Sequence, residues 1–435
     1  MKGGERMRSV KRQAAVLACA NGMVRALGFL LHIALGRILG AEALGIFELA
    51  HSAHMLAVTP VTAGLPTAVS RMTAREGGAA ALAAGRRLVL RLSLGFIPLW
   101  LALSPWIAGL LGDGRTLPTL WACAPCVLTG GLTAVYSGYC YGRGLAWPPA
   151  LATLTEQAAR FALCALPLLA VRRLTAAGRA AVPGAAEALA EAAALGLMAA
   201  MLRGTPRRLP RQPAAERELV RLALPLTGTR LLQTLSRALT AALLPRRLIA
   251  SGLAGAQATA AVGMLQGMVL PVLFLPGIVT AALGMAGIPA LARRRGAALR
   301  RMAARLFAAS LACGLGGWGL IRLLSPFLAD VVYREPALRG LFRAAAPLTL
   351  LFALGQAAGT LLGGLGEQKK TLLPTLAGTA LTLFCMARWA ASPLRLYGAV
   401  YAMLAGRALS VLWELLSALR LFIAQPKAPA APSDG

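Results

Sequence analysis

The chain has 435 residues, 58% apolar and only 14% charged, with 45 Lys and Arg against 15 Asp and Glu. Soluble domains carry about 45–50% apolar and about 25% charged residues, so an ordinary soluble enzyme is excluded. A net charge of +30 would suit nucleic acid, but aromatics are only 6%, and the basic residues sit in short clusters between long apolar runs instead of on a polar face with stacking side chains. This is the pattern of a polytopic membrane protein whose Lys and Arg hold one set of loops.

Crossing a hydrocarbon core of about 30 Å takes about 20 apolar residues. Spans are predicted at 13–36, 43–66, 89–112, 117–141, 149–171 and 183–202, then at 219–242, 258–289, 303–325, 341–365, 371–390 and 396–421. The first is read as uncleaved: Val16-Leu17-Ala18-Cys19 resembles a lipoprotein signal, but too few apolar residues precede it for a signal core, and the run continues to about Gly36. The seven cysteines fall in apolar runs and read as small buried hydrophobes. Cys123 and Cys126 lack the second pair or nearby His that a zinc site needs. No metal or cofactor is expected.

Placing the N-terminus inside puts 27 of the 45 basic residues on one face and 12 on the other, with six in spans. That asymmetry orients both termini in the cytoplasm. The expected organisation is a lobe over 1–205, a basic cytoplasmic linker over 206–218, a second lobe over 219–425 and a disordered tail over 426–435. The halves read as repeats: Gly64-Leu65-Pro66 with Arg71 matches Gly287-Ile288-Pro289 with Arg293, and Gly142 with Pro149 matches Gly366 with Pro374. The offsets are 223 and 224. An even number of spans per half makes the repeats parallel, related by an axis along the membrane normal, with a substrate site expected between them near the midplane.

Four stretches carry a family likeness. The first runs from Gly36-Arg37-Ile38-Leu39-Gly40-Ala41-Glu42 through Leu44-Gly45-Ile46-Phe47-Glu48-Leu49 to Gly64-Leu65-Pro66. The second is Gly138-Tyr139-Cys140-Tyr141-Gly142-Arg143 with Pro149, Glu156-Gln157 and Arg160. The third runs from Ala223-Leu224-Pro225 through Pro245-Arg246-Arg247-Leu248 to Gly263-Met264-Leu265-Gln266-Gly267-Met268, Pro271, Pro276 and Pro289. The fourth is Leu362-Gly363-Gly364-Leu365-Gly366-Glu367-Gln368-Lys369-Lys370. Together they resemble the multidrug/oligosaccharidyl-lipid/polysaccharide exporter superfamily, and within it the stage V sporulation protein B-like polysaccharide flippases. The resemblance implies an all-α polytopic fold of two six-helix bundles related by a pseudo-twofold along the membrane normal. Many relatives have fourteen spans where this chain has twelve, so no role of two extra C-terminal helices carries over.

A charge at the membrane centre costs about 2.5–3.5 kcal/mol on insertion scales, so each one is a functional candidate. Arg25 lies halfway along the first span, too far from either end to snorkel easily, and the resemblance implies that basic residues there face a central cavity. Glu156 and Arg160 are i and i+4, forming either a packing pair or a gating and substrate element. Arg230 and Arg237, i and i+7 with Gln233 between, share one face and are expected to line a cavity. Arg407 has Glu414 two turns on, either as partner or beside a substrate contact. Arg322 is placed to snorkel. Glu48, His51 and His54 form either a hydrated rim or a coupling site, His being poised near neutral pH. Glu187 and Glu191 are expected near the outer surface, solvated.

The candidate substrate-binding residues are therefore Arg25, Arg160, Arg230, Arg237 and Arg407, and the gating or coupling residues Glu48, His51, Glu156 and Glu414. A net-positive cavity attracts an anion, and Arg grips phosphate bidentately. The expected cargo is a polyprenyl-pyrophosphate-linked glycan or peptidoglycan precursor, carried by alternating access across the plasma membrane of a bacterium by a monomer driven by Na+, H+ or the membrane potential. The alternative is a cation-coupled antiporter of drugs or organic cations. An enzyme is not expected, because no acidic pair flanks a long polar loop and the three histidines are bunched at 32, 51 and 54.

Overall fold

In the computed structural model the described residues contain helices and turns but no strand. The structure describes residues 2–76, 78–171, 173–204, 212–292 and 296–424. Of the side chains in those helices, 2–21, Arg25, Glu76, Thr229, Met285, Ala286, Pro289, Ala290, Ala292, Gln368 and 422–424 lie outside the description.

Helix α1, Lys2–Thr62, contains 61 residues. At about 1.5 Å per residue it would be about 90 Å long if straight, far more than one bilayer crossing. Gly40 divides it, with φ 75° and ψ 169°, a backbone conformation open to glycine because it has no Cβ. The two predicted spans 13–36 and 43–66 are thus the two arms of one kinked helix. A bend at Ala63 and Gly64 leads to α2, Leu65–Glu76, and then to α3, Ala79–Leu111. Around α2 the apolar faces close into a core that includes Leu65, Val69, Met72, Leu82, Val89, Val135, Tyr139, Met198 and Leu219.

The predicted span 117–141 is two helices, α4 (Leu117–Cys123) and α5 (Cys126–Gly142), separated at Ala124 and Pro125. Helix α6, Trp147–Ala170, opens with proline in its first turn, where a missing N–H leaves no helical bond unmade. Helix α7, Ala176–Met201, begins where the Thr175 hydroxyl accepts the Gly178 N–H at 3.2 Å, an N-cap satisfying an otherwise orphan donor.

Helix α8 covers Pro213–Ala250. The predicted span 258–289 is broken twice: α9 (Gly255–Val262) gives way to a π turn over Gly263–Val269, α10 (Leu270–Leu273) follows, and α11 (Pro276–Ala292) starts after a second interruption. Then come α12 (Gly296–Phe327), a π turn over Leu328–Tyr333, α13 (Leu338–Ala345), α14 (Pro347–Gly364), α15 (Leu372–Trp389) and α16 (Arg395–Ala424).

Among the described residues nine helical stretches are long and apolar enough to cross a membrane, the first of them, Gly22–Arg75, being the kinked pair. Helices α6 and α8 fall outside that set because Glu156 with Arg160, and Arg230 with Arg237, interrupt their apolar runs. The chain forms two compact units, one of residues 1–245 with 255–263, the other of 246–254 with 264–435. Helix α8 therefore belongs to the first unit as far as Pro245.

Candidate functional site

The first unit encloses a cluster of ionisable side chains from three helices. Helix α1 contributes Glu48, His51 and His54, three residues apart and so on one helical face, together with His32. Helix α6 contributes Glu156 and Arg160, and α7 contributes Glu187 and Glu191. Arg160 sits at the centre. One of its terminal nitrogens, Nη2, lies 2.9 Å from Glu156 Oε1 and 3.3 Å from Glu187 Oε1. The other oxygen of Glu187 lies 3.3 Å from His51 Nδ1. Glu187 thus links α1, α6 and α7, and it is only 4% exposed. Glu191, one turn on, accepts the Thr129 hydroxyl of α5 at 2.8 Å. Glu187 lies close enough to His32, His51, Glu156, Arg160 and Glu191 for their charges to interact.

This placement corrects the expectation for α7. Glu187 and Glu191 do not form a solvated surface. The helix is rich in alanine and glycine, so its neighbours come close: a Cβ on Gly184 would lie 2.8 Å from Cys123 Sγ of α4. A long carboxylate on such a helix reaches past its own small neighbours into the bundle. The available sequence signal was the i and i+4 spacing of two glutamates on an otherwise almost apolar helix.

An aromatic stack backs the cluster. Phe47 and His51 stack at 5.3 Å, and His54 meets the Trp100 ring edge-on at 6.3 Å. The Trp100 indole N–H donates to the Leu120 carbonyl at 3.0 Å. Buried Glu48 Oε1, Arg160 Nε and both ring nitrogens of His54 have no hydrogen-bond partner among the described residues. Such groups are costly to leave unsatisfied, so the cluster has unused capacity to bind protons or water.

The second unit holds a simpler site. The Arg407 guanidinium lies over the Phe352 ring at 5.5 Å, and its Nε has no hydrogen-bond partner among the described residues. Gly355 makes room for it, since a Cβ there would come within 2.9 Å of the guanidinium carbon. Glu414 is 4% exposed on the same helix.

The sequence candidates therefore separate into groups. Glu48, His51, Glu156 and Arg160 come together in the first unit. Arg160 is enclosed by carboxylates and does not fit the role of a free cation for substrate. Arg407 and Glu414 stand in the second unit. Arg230 and Arg237 are exposed on α8, with no side-chain partner among the described residues. The side chain of Arg25 is outside the described residues. Within those residues no group of three or more His, Cys, Asp or Glu is arranged to hold a metal ion.

Residues 10–295 match the family model described as polysaccharide biosynthesis protein. The chain is 26% identical over 419 residues to stage V sporulation protein B of Bacillus subtilis (strain 168), covering 91% of this chain and 81% of that protein. Its fold is similar to an inward-facing multidrug resistance MATE family transporter of the MOP superfamily, with TM-score 0.73, 17% identity, and 93% and 96% of the two chains covered. It is also similar to the lipid II flippase MurJ in an inward closed conformation, with TM-score 0.74, 12% identity, and 93% and 87% covered. The fold is thus the two-lobed, all-α polytopic membrane fold of those transporters. The chain belongs to the polysaccharide biosynthesis protein family.

Proposed function

We propose that this protein is a flippase that moves an anionic, polyprenyl-pyrophosphate-linked glycan or peptidoglycan precursor across the bacterial plasma membrane by alternating access. In this reading it is a transporter and not an enzyme, acts as a monomer, and keeps both termini in the cytoplasm. The observation that carries the proposal is the pair Arg230 and Arg237, exposed cations on one face of a membrane helix. Two guanidinium groups two turns apart suit a diphosphate, which offers several acceptor oxygens to planar donors. Family membership, the likeness to stage V sporulation protein B and the fold shared with the lipid II flippase MurJ support the same direction. The lobe division at 206–218 and a binding role for Arg25 belong to this proposal.

Coupling is assigned to the first-unit cluster through Glu48, His51 and Glu156, together with Glu187 and Glu191, with Glu414 as the candidate in the second unit. Four carboxylates there face one arginine, so full ionisation would leave excess negative charge in a low-dielectric interior. Uptake of protons, or of another monovalent cation, relieves that excess.

The test uses proteoliposomes carrying a fluorescent polyprenyl-diphosphate sugar, with leaflet position read by a membrane-impermeant quencher. Arg230→Ala with Arg237→Ala is expected to slow movement at least tenfold while leaving thermal stability unchanged. Wild-type movement in the double variant would overturn the arginine assignment. The antiporter reading also draws on the carboxylate excess: it requires proton-driven efflux of a cationic dye that Glu187→Gln abolishes, with no movement of the lipid-linked sugar.

A further inference from the structure

Arg407 of α16 is a cation deep in the second unit. Helix α16 is long and apolar enough to cross a membrane over Arg395–Leu421, and position 407 lies about 18 Å along its axis from one end and about 21 Å from the other. At that depth a charge is expensive unless something neutralises it. Arg160 in the first unit has two carboxylates within 3.3 Å. Arg407 has no ion pair or hydrogen bond among the described residues. Glu414, on the same helix, stands about 10 Å farther along the axis and also makes no ion pair among the described residues.

The surroundings of Arg407 hold the guanidinium by its face and leave its donors unspent. It lies over the Phe352 ring of α14 at 5.5 Å. Phe274, just after α10, packs on Phe352 with ring centroids 4.6 Å apart, tilted by 45°, and is 46% exposed. Gly355, nearly one turn from Phe352, keeps the slot clear, since a Cβ there would lie 2.9 Å from the guanidinium carbon. A guanidinium stacks on aromatic rings through its face and hydrogen-bonds through N–H groups in its plane. Ring and slot therefore orient Arg407 without using a donor, and Nε is covered with no acceptor. The side chain as a whole is only half-buried, so part of it stays accessible.

One cation sets the charge of what it can hold. In a low-dielectric interior a neutral complex is favoured over one that leaves charge uncompensated. A phosphodiester carries one negative charge on two non-bridging oxygens, an acceptor pair that Nε and a terminal nitrogen of a single guanidinium fit side by side. A diphosphate brings further negative charge that one arginine leaves unmatched, with Glu414 two turns away. We propose that Arg407, seated on Phe352 over Gly355, is the binding site for a singly charged phosphodiester carried on an apolar chain, with that chain against the Phe274 and Phe352 rings. The site is built from the second unit alone and does not rest on the diphosphate assignment of Arg230 and Arg237.

The test is equilibrium binding to the full chain in nanodiscs of uncharged lipid, with Arg230→Ala and Arg237→Ala present so that the other arginine pair contributes nothing. The probes are radiolabelled citronellyl phosphoryl glucose, a short-chain phosphodiester, and citronellyl diphosphate. The phosphodiester is expected to bind at least fivefold more tightly than the diphosphate. Adding Arg407→Leu is expected to weaken phosphodiester binding at least tenfold with a cooperative melting transition retained. Arg407→Lys keeps the charge but not the planar fork, and is expected to weaken it at least threefold; it carries the test if the leucine variant fails to fold. Dimethyl phosphate, which has the same charged group and no chain, separates the sources of recognition. Displacement of the label by it supports a site that reads the phosphate alone, and no displacement supports one that also reads the chain. Phosphodiester affinity unchanged in both Arg407 variants overturns the site. A diphosphate bound as tightly as the phosphodiester, and lost equally in Arg407→Leu, overturns the charge matching. Either result holds whatever the flippase assay gives.

Discussion

The two units solve the same problem, holding helices together in lipid, by different chemistry. In the first, Glu187 bridges three helices through Arg160 and His51, so packing depends on charge. In the second, α15 and α16 meet at Gly378 and Gly406, where a Cβ on Gly378 would sit 3.1 Å from Ser410 Cβ, and Ser410 donates to the Pro374 carbonyl at 2.9 Å. Its half-buried arginine rests on an aromatic face instead of between carboxylates. The difference teaches that a half-buried arginine is not one kind of object. Arg160 is a cross-link between carboxylates of two helices, whereas Arg407 is a cation parked in a glycine-made slot.

The sharpest way to break this contrast is Glu187→Ala. It leaves Arg160 short of one carboxylate and His51 without its partner, and removing one member of a buried ion pair costs about 3–5 kcal/mol. Thermal unfolding followed by thiol-reactive dye is the measurement, because Cys123 and Cys126 are buried beside the cluster and exposed only on opening. Next is Gly406→Ala, whose methyl would stand 3.0 Å from the Thr382 amide nitrogen. Overpacking of that kind costs about 1–3 kcal/mol and should appear as a lower melting temperature with the Arg160 pairing intact.

Arg407→Leu is expected to change stability by no more than about 2 kcal/mol, since a desolvated cation over an aromatic ring is worth about that much and a leucine fills the slot. A loss as large as that of Glu187→Ala would erase the distinction between the units. The smallest effect concerns Asp113, at the edge of the first unit between α3 and the next helix. Burial opposes its charge, but hydrogen bonds from Arg115 and Thr259 prevail and hold the carboxyl below the usual carboxylate range. A depressed native value stabilises above the unfolded pKa and is lost only as pH falls through the native one. The melting-temperature difference between wild type and Asp113→Asn should therefore be flat from about pH 8 to about pH 5, and shrink only in stronger acid.

Much of this was legible along the chain. The membrane class, nearly all the helices and the meeting of Glu156 with Arg160 follow from composition and from i and i+4 spacing, which are local properties. The breaks at Pro125, Gly263 and Phe274 were missed because each lies inside an uninterrupted apolar run. Glu187 was misplaced for a related reason: its own helix says only that a glutamate stands among alanines, and burial depends on which neighbours close over it.

Hydropathy and charge asymmetry along the sequence determined that this is a polytopic helical membrane protein, because the free energy of placing a residue in hydrocarbon is set by that residue and its near neighbours. Only the tertiary structure decided which charges meet. Glu187, Arg160 and His51 are far apart along the chain, and their pairing exists because small residues on α7 let three helices approach to ion-pair distance. The same structure decided that residues 255–263 rest on α1, through a contact between glycines that has no side-chain pattern to announce it.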